Sequence, residues 1–259
     1  MKKLHFRYEM NLSLHQPVLD HHFLIRCKPM ETGSQRCETY ACRVTPEVPL
    51  SETEDGFGNH GVTGVIRQAH DCLSARAEGI VMVEMVPDSQ FHPMYRFFSP
   101  YTQPDAGLEA FLQEVEADLG RPVADSESLC VLMDRLYGRF AYVPGVTSVK
   151  TTAAEAFAGG QGVCQDYAHI LISLCRKAGV PARYVAGLLP GEGATHAWVE
   201  VWNGDCWIGY DPTHNRLVDE TFIKLTHGRD FGDAAVDKGC FRGFAYQMQQ
   251  IYVKVEELL

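Results

Sequence analysis

The chain has 259 residues, of which 46% are hydrophobic, and its formal net charge at pH 7 is −10. This length suits one large or two modest globular domains, and the hydrophobic content is ample for a packed core. The sequence has no basic stripe and no apolar run of about 18 residues, so we expect neither nucleic acid nor a membrane among its partners. A charged, alternating segment follows Met1-Lys2-Lys3 where a signal peptide would be apolar, which predicts a cytoplasmic location.

Nine cysteines are spread along the chain, and none of them forms a Cys-x-x-Cys pair. Their odd number argues against a disulfide framework, and their spacing argues against a zinc site. The sequence also lacks the Asp-x-Asp-x-Asp-Gly pattern of a calcium loop. We therefore expect no metal and no cofactor, and we expect most of the cysteines to be small buried hydrophobic residues.

The first third of the chain predicts an antiparallel β-sandwich. Residues 4–12 alternate apolar and polar side chains without a fault, which is typical of a half-buried strand. Further strand-like segments are separated by turns rich in glycine and proline. These segments are residues 18–27, 38–45, 61–67 and 78–85. The irregular, proline-rich residues 87–104 suit a linker, so we place an N-terminal β-domain at residues 1–88 and a second domain at residues 89–259.

Helices follow the linker. Apolar residues recur at helical spacing from Leu108 to Leu119, and Gly120 can end that helix. Ser126 can open a second helix, and Thr152 with Glu155 fits a capping box for a short third one. Together with the strands predicted farther along, these helices indicate an α+β fold for the second domain.

Residues 159–169 combine a glycine-rich approach with the start of an apolar-periodic helix. Cys164 lies at or beside the N-terminus of this helix, which we expect to run to Ala178 with Gly179 beyond it. Unpaired backbone N–H groups and the helix dipole stabilise a thiolate at such a position. The residues that share the direction of Cys164 are apolar, so we expect that one face to pack into the core.

Two strands joined by Asn203-Gly204 indicate a hairpin. If these two residues form a type I′ loop, Trp202 pairs with Asp205 and His196 lies directly opposite Asp211. Their Cβ atoms would then be about 4.5 to 5.5 Å apart, close enough for the carboxylate to accept the imidazole N–H. A three-residue loop would put Ala197 opposite Asp211. Cysteine, histidine and aspartate in this arrangement are typical of a thiol acyl-transfer enzyme.

Several segments together resemble the bacterial transglutaminase-like proteins, which are generally regarded as candidate cysteine proteases. The resemblance rests on residues 162–169, 179–185, 196–201 and 209–213, on the Asp-x-Phe-Gly-Asn-like turn at residues 55–59, and on residues 228–231. It implies a papain-like α+β catalytic domain, the transglutaminase core, behind an N-terminal β-domain. It also implies that the catalytic residues are Cys164, His196 and Asp211.

These residues predict thiol-dependent acyl transfer on an amide, with a thioester intermediate that water resolves, as in a cysteine peptidase or amidase. The expected substrate is a peptide, a protein or a small amide. One alternative is amine transfer of the protein-glutamine transglutaminase type. Acyl transfer to an arylamine, as in the arylamine acetyltransferases that share the fold, is another, and an inactive binding module that kept the fold is a third.

Other polar residues near these motifs receive structural interpretations. His169 shares a helix with Cys164 but its direction differs by about 140°, which makes it a poor general base. Asp166 lies in the first helical turn, where a carboxylate favours the dipole. Trp198 is either a shield for the imidazole or a core aromatic residue. His214 could be drawn with His196 and Asp211 as a metal site, although the usual ligand spacing is missing. The glycine-rich residues 190–194 predict an open loop beside His196, and residues 250–256 predict a final strand.

Overall fold

A computed structural model describes residues 1–258. It confirms the mixed α+β architecture, with an antiparallel β region first and helices with a second sheet after it. The strands are β1 (Lys2–Ile25), β2 (Gln35–Thr45), β3 (Ser51–Glu54), β4 (His60–Ile66), β5 (His70–Val83), β6 (Ala141–Tyr142), β7 (Gln161–Gly162), β8 (Ala182–Leu188), β9 (Gly191–Gly193), β10 (His196–Trp202), β11 (Trp207–Asp211), β12 (Arg216–Leu217), β13 (Ile223–Gly228), β14 (Asp237–Arg242) and β15 (Gln247–Leu258). The helices are α1 (Ala106–Leu119), α2 (Ser126–Arg139), α3 (Ala153–Gly159), α4 (Cys164–Lys177) and α5 (Phe231–Ala234), with a 3-10 helix at Pro93–Arg96.

Strand β1 organises the N-terminal sheet. Its first part lies between β5 and β15, and its second part lies between β4 and β14. The pairing register with β5 shifts between Ser13 and Val18. The two strands predicted at residues 4–12 and 18–27 are therefore one continuous strand that serves two antiparallel arrays.

The C-terminal strands also belong to this sheet. Residues 250–256 form a strand, as predicted, but β15 pairs with β1 and not with the second sheet. The same is true of β14. Residues 237–258 therefore lie outside the sheet of the predicted catalytic domain, because their edges complete the hydrogen bonding of β1. Residues 191–193, predicted as an open loop, form the short strand β9 against β15.

The second sheet has the antiparallel order β12-β11-β10-β8-β13, and α4 packs against β8 and β10. The side chains of α4 are buried without a break from Gln165 to Arg176. The sequence predicted only one buried face, because it did not show that α1, α2 and α3 cover the other side of the helix. None of the helices in residues 1–258 is long and apolar enough to cross a membrane.

Local capping residues set the helix boundaries, as predicted. Gly120 ends α1 in the left-handed region at φ 67°, where a residue with a side chain would be strained. The Thr152 and Glu155 side chains each accept a hydrogen bond from the other's backbone N–H, so the predicted capping box opens α3.

A buried arginine fixes the C-terminal end of α4. Arg176 is 4% exposed, and its guanidinium donates to the backbone carbonyls of Tyr95, Ala182 and Arg229 and to Thr102 Oγ1, at 2.8 to 3.1 Å. Burial lowers the pKa of Arg176 to about 10, so the group remains charged at neutral pH. These bonds tie the linker, β8 and the turn after β13 to one point on the helix.

Replacing Arg176 with methionine should lower the free energy of unfolding by about 3 kcal/mol, since it leaves buried acceptors without donors. Urea denaturation measures the change. The matched control is Arg135→Met on α2, where an exposed ion pair with Asp118 is lost and less than about 1 kcal/mol is expected. Equal losses in the two variants would contradict the role assigned to Arg176.

Candidate active site

Cys164 is the first residue of α4 and is partly exposed. The residue before the helix, Val163, donates its backbone N–H to Asp166 Oδ2 at 2.8 Å, and the Thr147 hydroxyl donates to the same oxygen at 2.6 Å. A Cβ atom at Gly162 would lie 2.4 Å from this oxygen, so the close approach requires glycine. Asp166 thus binds the backbone at the start of the helix, in line with its predicted structural role. Cys164, the first residue of the helix, lies at its partly exposed N-terminal end.

His196 and Asp211 form a buried pair. The distance between His196 Nε2 and Asp211 Oδ2 is 3.0 Å, and the aspartate has no exposed surface. A carboxylate accepts, so this contact assigns the proton to Nε2 and leaves Nδ1 as the nitrogen that can exchange a proton with another group. The predicted hydrogen bond is therefore present.

The hairpin register that led to this prediction was wrong. Trp202 pairs with Trp207 and Val199 with Tyr210, so the loop has four residues and not two. Asn203 Oδ1 accepts the backbone N–H groups of Asp205 and Cys206, which stabilises the longer loop. The pairing is displaced by two positions. Because side chains alternate with a period of two, His196 and Asp211 stay on the same face of the hairpin.

Asp211 accepts three further hydrogen bonds. The backbone N–H groups of Thr213 and His214 donate to Oδ1 at 3.1 and 3.3 Å, and His214 Nδ1 lies 2.7 Å from Oδ2. Burial raises the pKa of Asp211, but the hydrogen bonds and charges of the two histidines outweigh it and hold this pKa below its ordinary value. The carboxylate is therefore fixed in position and ionised. The sequence suggested His214 only as a possible metal ligand, not as a second partner of this carboxylate.

The environment of His196 favours its protonated form. Burial lowers the pKa of His196, but the hydrogen bonds and charges of Asp211 and Cys164 more than offset this effect and raise its pKa to about 9. The imidazole thus contacts the carboxylate of Asp211 and lines the same cavity as the thiol of Cys164. Such a ring can give a proton to a leaving group at neutral pH.

The ligand atoms of His196, Asp211 and His214 all lie within 4.8 Å of one another. This set is the one among residues 1–258 that could hold a metal ion. Both imidazole nitrogens that face Asp211 donate their protons to it, so a metal ion could bind only after these hydrogen bonds are broken.

His169 and Trp198 belong to the core. His169 Nε2 accepts the Phe231 backbone N–H at 3.1 Å, and burial, with the charge of Arg176, lowers the pKa of His169 to about 3. This histidine is neutral and structural, as predicted. Trp198 is buried and packs edge-on against Phe222 at a centroid distance of 5.3 Å, so of the two interpretations the core aromatic residue is the one observed.

A cavity of about 620 Å³ opens beside Cys164 and His196. Its walls come from both sheets and include Met10 and Leu73 of the N-terminal region and Ile251 of β15. The sequence did not indicate this contribution, because no motif reports how two sheets face each other. The N-terminal region is therefore part of the surroundings of the thiol.

Comparisons with protein families find two matches. Residues 113–212 match the transglutaminase-like superfamily, and residues 4–82 match the bacterial transglutaminase-like N-terminal region. An uncharacterized protein of Mycobacterium tuberculosis is 30% identical over 251 residues, which span 82% of this chain and 78% of that protein. A protein-glutamine gamma-glutamyltransferase of Pseudomonas aeruginosa is 33% identical over 103 residues, which span 32% of this chain and 15% of that enzyme.

A solved structure has the same fold over nearly the whole chain. It is the crystal structure of a candidate cysteine protease from Cytophaga hutchinsonii, with a TM-score of 0.81 and 24% sequence identity. The match covers 99% of this chain and 91% of that one. The arrangement of the N-terminal region, the helices and both sheets is thus shared with a known structure.

Replacing Asp211 with asparagine should lower the pKa of His196 from about 9 by at least about one pH unit, because it removes the negative charge while keeping a similar shape. Titration of the His196 ring by NMR measures this change. Asp205→Asn, in the exposed loop of the same hairpin, is the control and should leave the pKa of His196 unchanged. An unchanged His196 titration in Asp211→Asn would refute the electrostatic role of the carboxylate.

Proposed function

The chain belongs to the transglutaminase-like superfamily, and on that premise we propose that it catalyses thiol-dependent acyl transfer from an amide. Cys164 is the nucleophile, His196 the acid and base, and Asp211 the positioning group. The observation that carries this proposal is the placement of His196, which bonds Asp211 through Nε2 at 3.0 Å and lines the same cavity as Cys164. A histidine held in this way is the proton carrier that a thiol nucleophile needs.

The first half-reaction breaks the amide bond. The Cys164 thiolate attacks the carbonyl carbon, and the oxygen of the tetrahedral intermediate takes up the negative charge. As the first residue of α4, Cys164 has a backbone N–H without an intrahelical partner, and this group can donate to the oxyanion. His196 Nδ1–H protonates the leaving amine, the C–N bond breaks, and a thioester of Cys164 remains.

The second half-reaction returns the thiol. His196, now neutral, takes a proton from water, and the oxygen attacks the thioester carbonyl. The C–S bond breaks and the acyl group leaves as a carboxylic acid. Hydrolysis is favoured over amine transfer because the cavity is open to solvent beside His196, at the exposed Ala194, and amine transfer needs an enclosed channel that concentrates an amine against water.

Amine transfer is the second candidate, and the similarity of one segment to a protein-glutamine gamma-glutamyltransferase supports it. That segment covers 32% of this chain. Its chemistry would use the same thioester and differ only in the nucleophile that resolves it. An inactive binding module is disfavoured because the histidine, the aspartate and the thiol are all intact, and the imidazole contacts the aspartate and lines the same cavity as the thiol.

At about pH 6, Cys164 should react with iodoacetamide at least about ten times faster than any of the other eight cysteines. It alone combines a position at a helix N-terminus with a nearby protonated histidine. Mass-spectrometric mapping after brief labelling identifies the site. The strongest competitor is Cys42, since a hydrogen bond from Cys27 lowers the pKa of Cys42 to about 7. Cys164→Ser should remove the early label and Cys42→Ser should retain it, whereas the reverse pattern would overturn the assignment.

Substitution of Cys164 with alanine should abolish cleavage of amide substrates, and the wild-type enzyme should yield mainly acid when a primary amine such as a lysine analogue is also supplied. Chromatography of the acid and amide products measures the partition. Dominant amide product at millimolar amine would make the enzyme a transferase. Amide turnover that persists in Cys164→Ala would overturn the proposed nucleophile.

A further inference from the structure

Apolar side chains of the N-terminal region form one part of the wall of the cavity beside Cys164. Met10 and Leu12 of β1 and Leu73 of β5 lie on its wall, with Phe23 and Phe241 from the second array. Its volume of about 620 Å³ falls within the range of small-molecule binding sites, roughly 300 to 1,000 Å³. Binding of an apolar group to such walls is favourable, because it removes apolar surface from water.

The position of the cavity decides which part of an amide it can hold. The acyl part stays bonded to Cys164 through both half-reactions, whereas the amine must leave and water must enter. Exchange is easier at the exposed Ala194, which lines the cavity with Thr195 and His196, than against the walls formed by the two sheets. The acyl part is therefore the part that the cavity retains.

Polar side chains such as Gln247 and Gln249 also line the cavity, and a chain of hydrogen bonds places a further acceptor among the apolar residues. His70 Nδ1 must donate to the Gln68 carbonyl, which lies 3.0 Å away, so with neutral rings His70 Nε2 is an acceptor. His21 Nδ1, at 3.0 Å, donates to it. His21 Nε2 is then left with a lone pair, and it accepts no hydrogen bond from residues 1–258.

His21 is 2% exposed and contributes to the wall of the cavity. Burial lowers the pKa of His21, and the neighbouring His70 and His22 lower it further, so the ring is neutral at pH 7. His21 Nε2 is thus an acceptor on the cavity wall. A ligand that displaces water from the cavity would leave this acceptor unpaired, which is costly, unless the ligand brings a donor.

We infer that the cavity binds the acyl part of the substrate, and that this part is a bulky apolar group carrying a hydroxyl or N–H donor for His21 Nε2. This inference rests on the proposed acyl transfer at Cys164. It makes the N-terminal region a determinant of substrate choice. His21 is a specificity residue in this scheme and takes no part in the bond-breaking steps.

The apolar requirement is tested with p-nitroanilides of acetic, succinic and 3-phenylpropionic acid. We expect kcat/KM for the phenylpropionyl compound to exceed the other two by at least about tenfold. Ile251→Trp, which fills the cavity from β15, should abolish this advantage. Gln250→Trp, on the other side of the same strand, is the matched control and should keep it. Equal rates for the three compounds in the wild type would overturn the inference.

The donor requirement is tested with phenylpropionyl compounds that carry a hydroxyl or a fluorine at the ortho, meta or para position. At least one hydroxyl compound should be favoured over its fluoro counterpart by about tenfold in kcat/KM. His21→Phe keeps the ring volume and should remove that preference, while His21→Gln, which restores an acceptor, should return part of it. Circular dichroism checks that both variants fold. A preference that is absent, or that survives in His21→Phe, would refute the role of His21.

A binding measurement separates this inference from the proposed function. Hydroxyphenylpropionamides should slow the alkylation of Cys164 by iodoacetamide, whether or not they are turned over. Protection of Cys164 without any cleavage would overturn the proposed reaction and leave the cavity assignment in place. Cleavage of amides without a preference for apolar acyl groups, and without protection, would overturn the cavity assignment and leave the reaction in place.

Discussion

Helix α4 is buried from Gln165 to Arg176, so both of its ends must satisfy their polar groups inside the protein. At the C-terminal end the Arg176 guanidinium is surrounded by four acceptors from the linker and the second sheet. At the N-terminal end Asp166 accepts the N–H of Val163. Hydrogen bonds at both ends thus hold the helix against its neighbours and give the thiol at its first position a defined place in the fold.

The chemistry of the site depends on one carboxylate. Asp211 is buried and ionised, and its four hydrogen bonds hold it without reference to a substrate. Asp211 therefore does not have to move when positive charge develops on His196. A charge that is already in position can lower the activation barrier, because no energy is spent on moving it. His214, the exposed partner of Asp211, gives the carboxylate a donor on its solvent side as well. The arrangement resembles a triad extended by one residue.

The sequence predicted what is encoded locally. The helix ends at Gly120 and Thr152 follow from backbone conformation and capping, and the face shared by His196 and Asp211 follows from strand alternation. The hairpin register was not predictable from Asn203-Gly204, because the Asn203 side chain binds Asp205 and Cys206 and stabilises a longer loop. The cavity wall and the His21–His70 pair were also beyond prediction. They depend on strands that meet only in the folded protein.

The pairing of β1 with β15 has a consequence for the synthesis of the chain. Lys3 pairs with Leu258, so β1 receives β15 as a neighbour only after all the residues between the two strands have been synthesised. Until then one edge of β1 presents unpaired N–H and C=O groups along with its apolar face, and a nascent chain in that state is open to strand exchange with other chains. Contacts so distant in sequence also make closure of the sheet a late and slow event. The wall of the cavity beside Cys164, which takes residues from both strands, is therefore completed only after β15 has been synthesised.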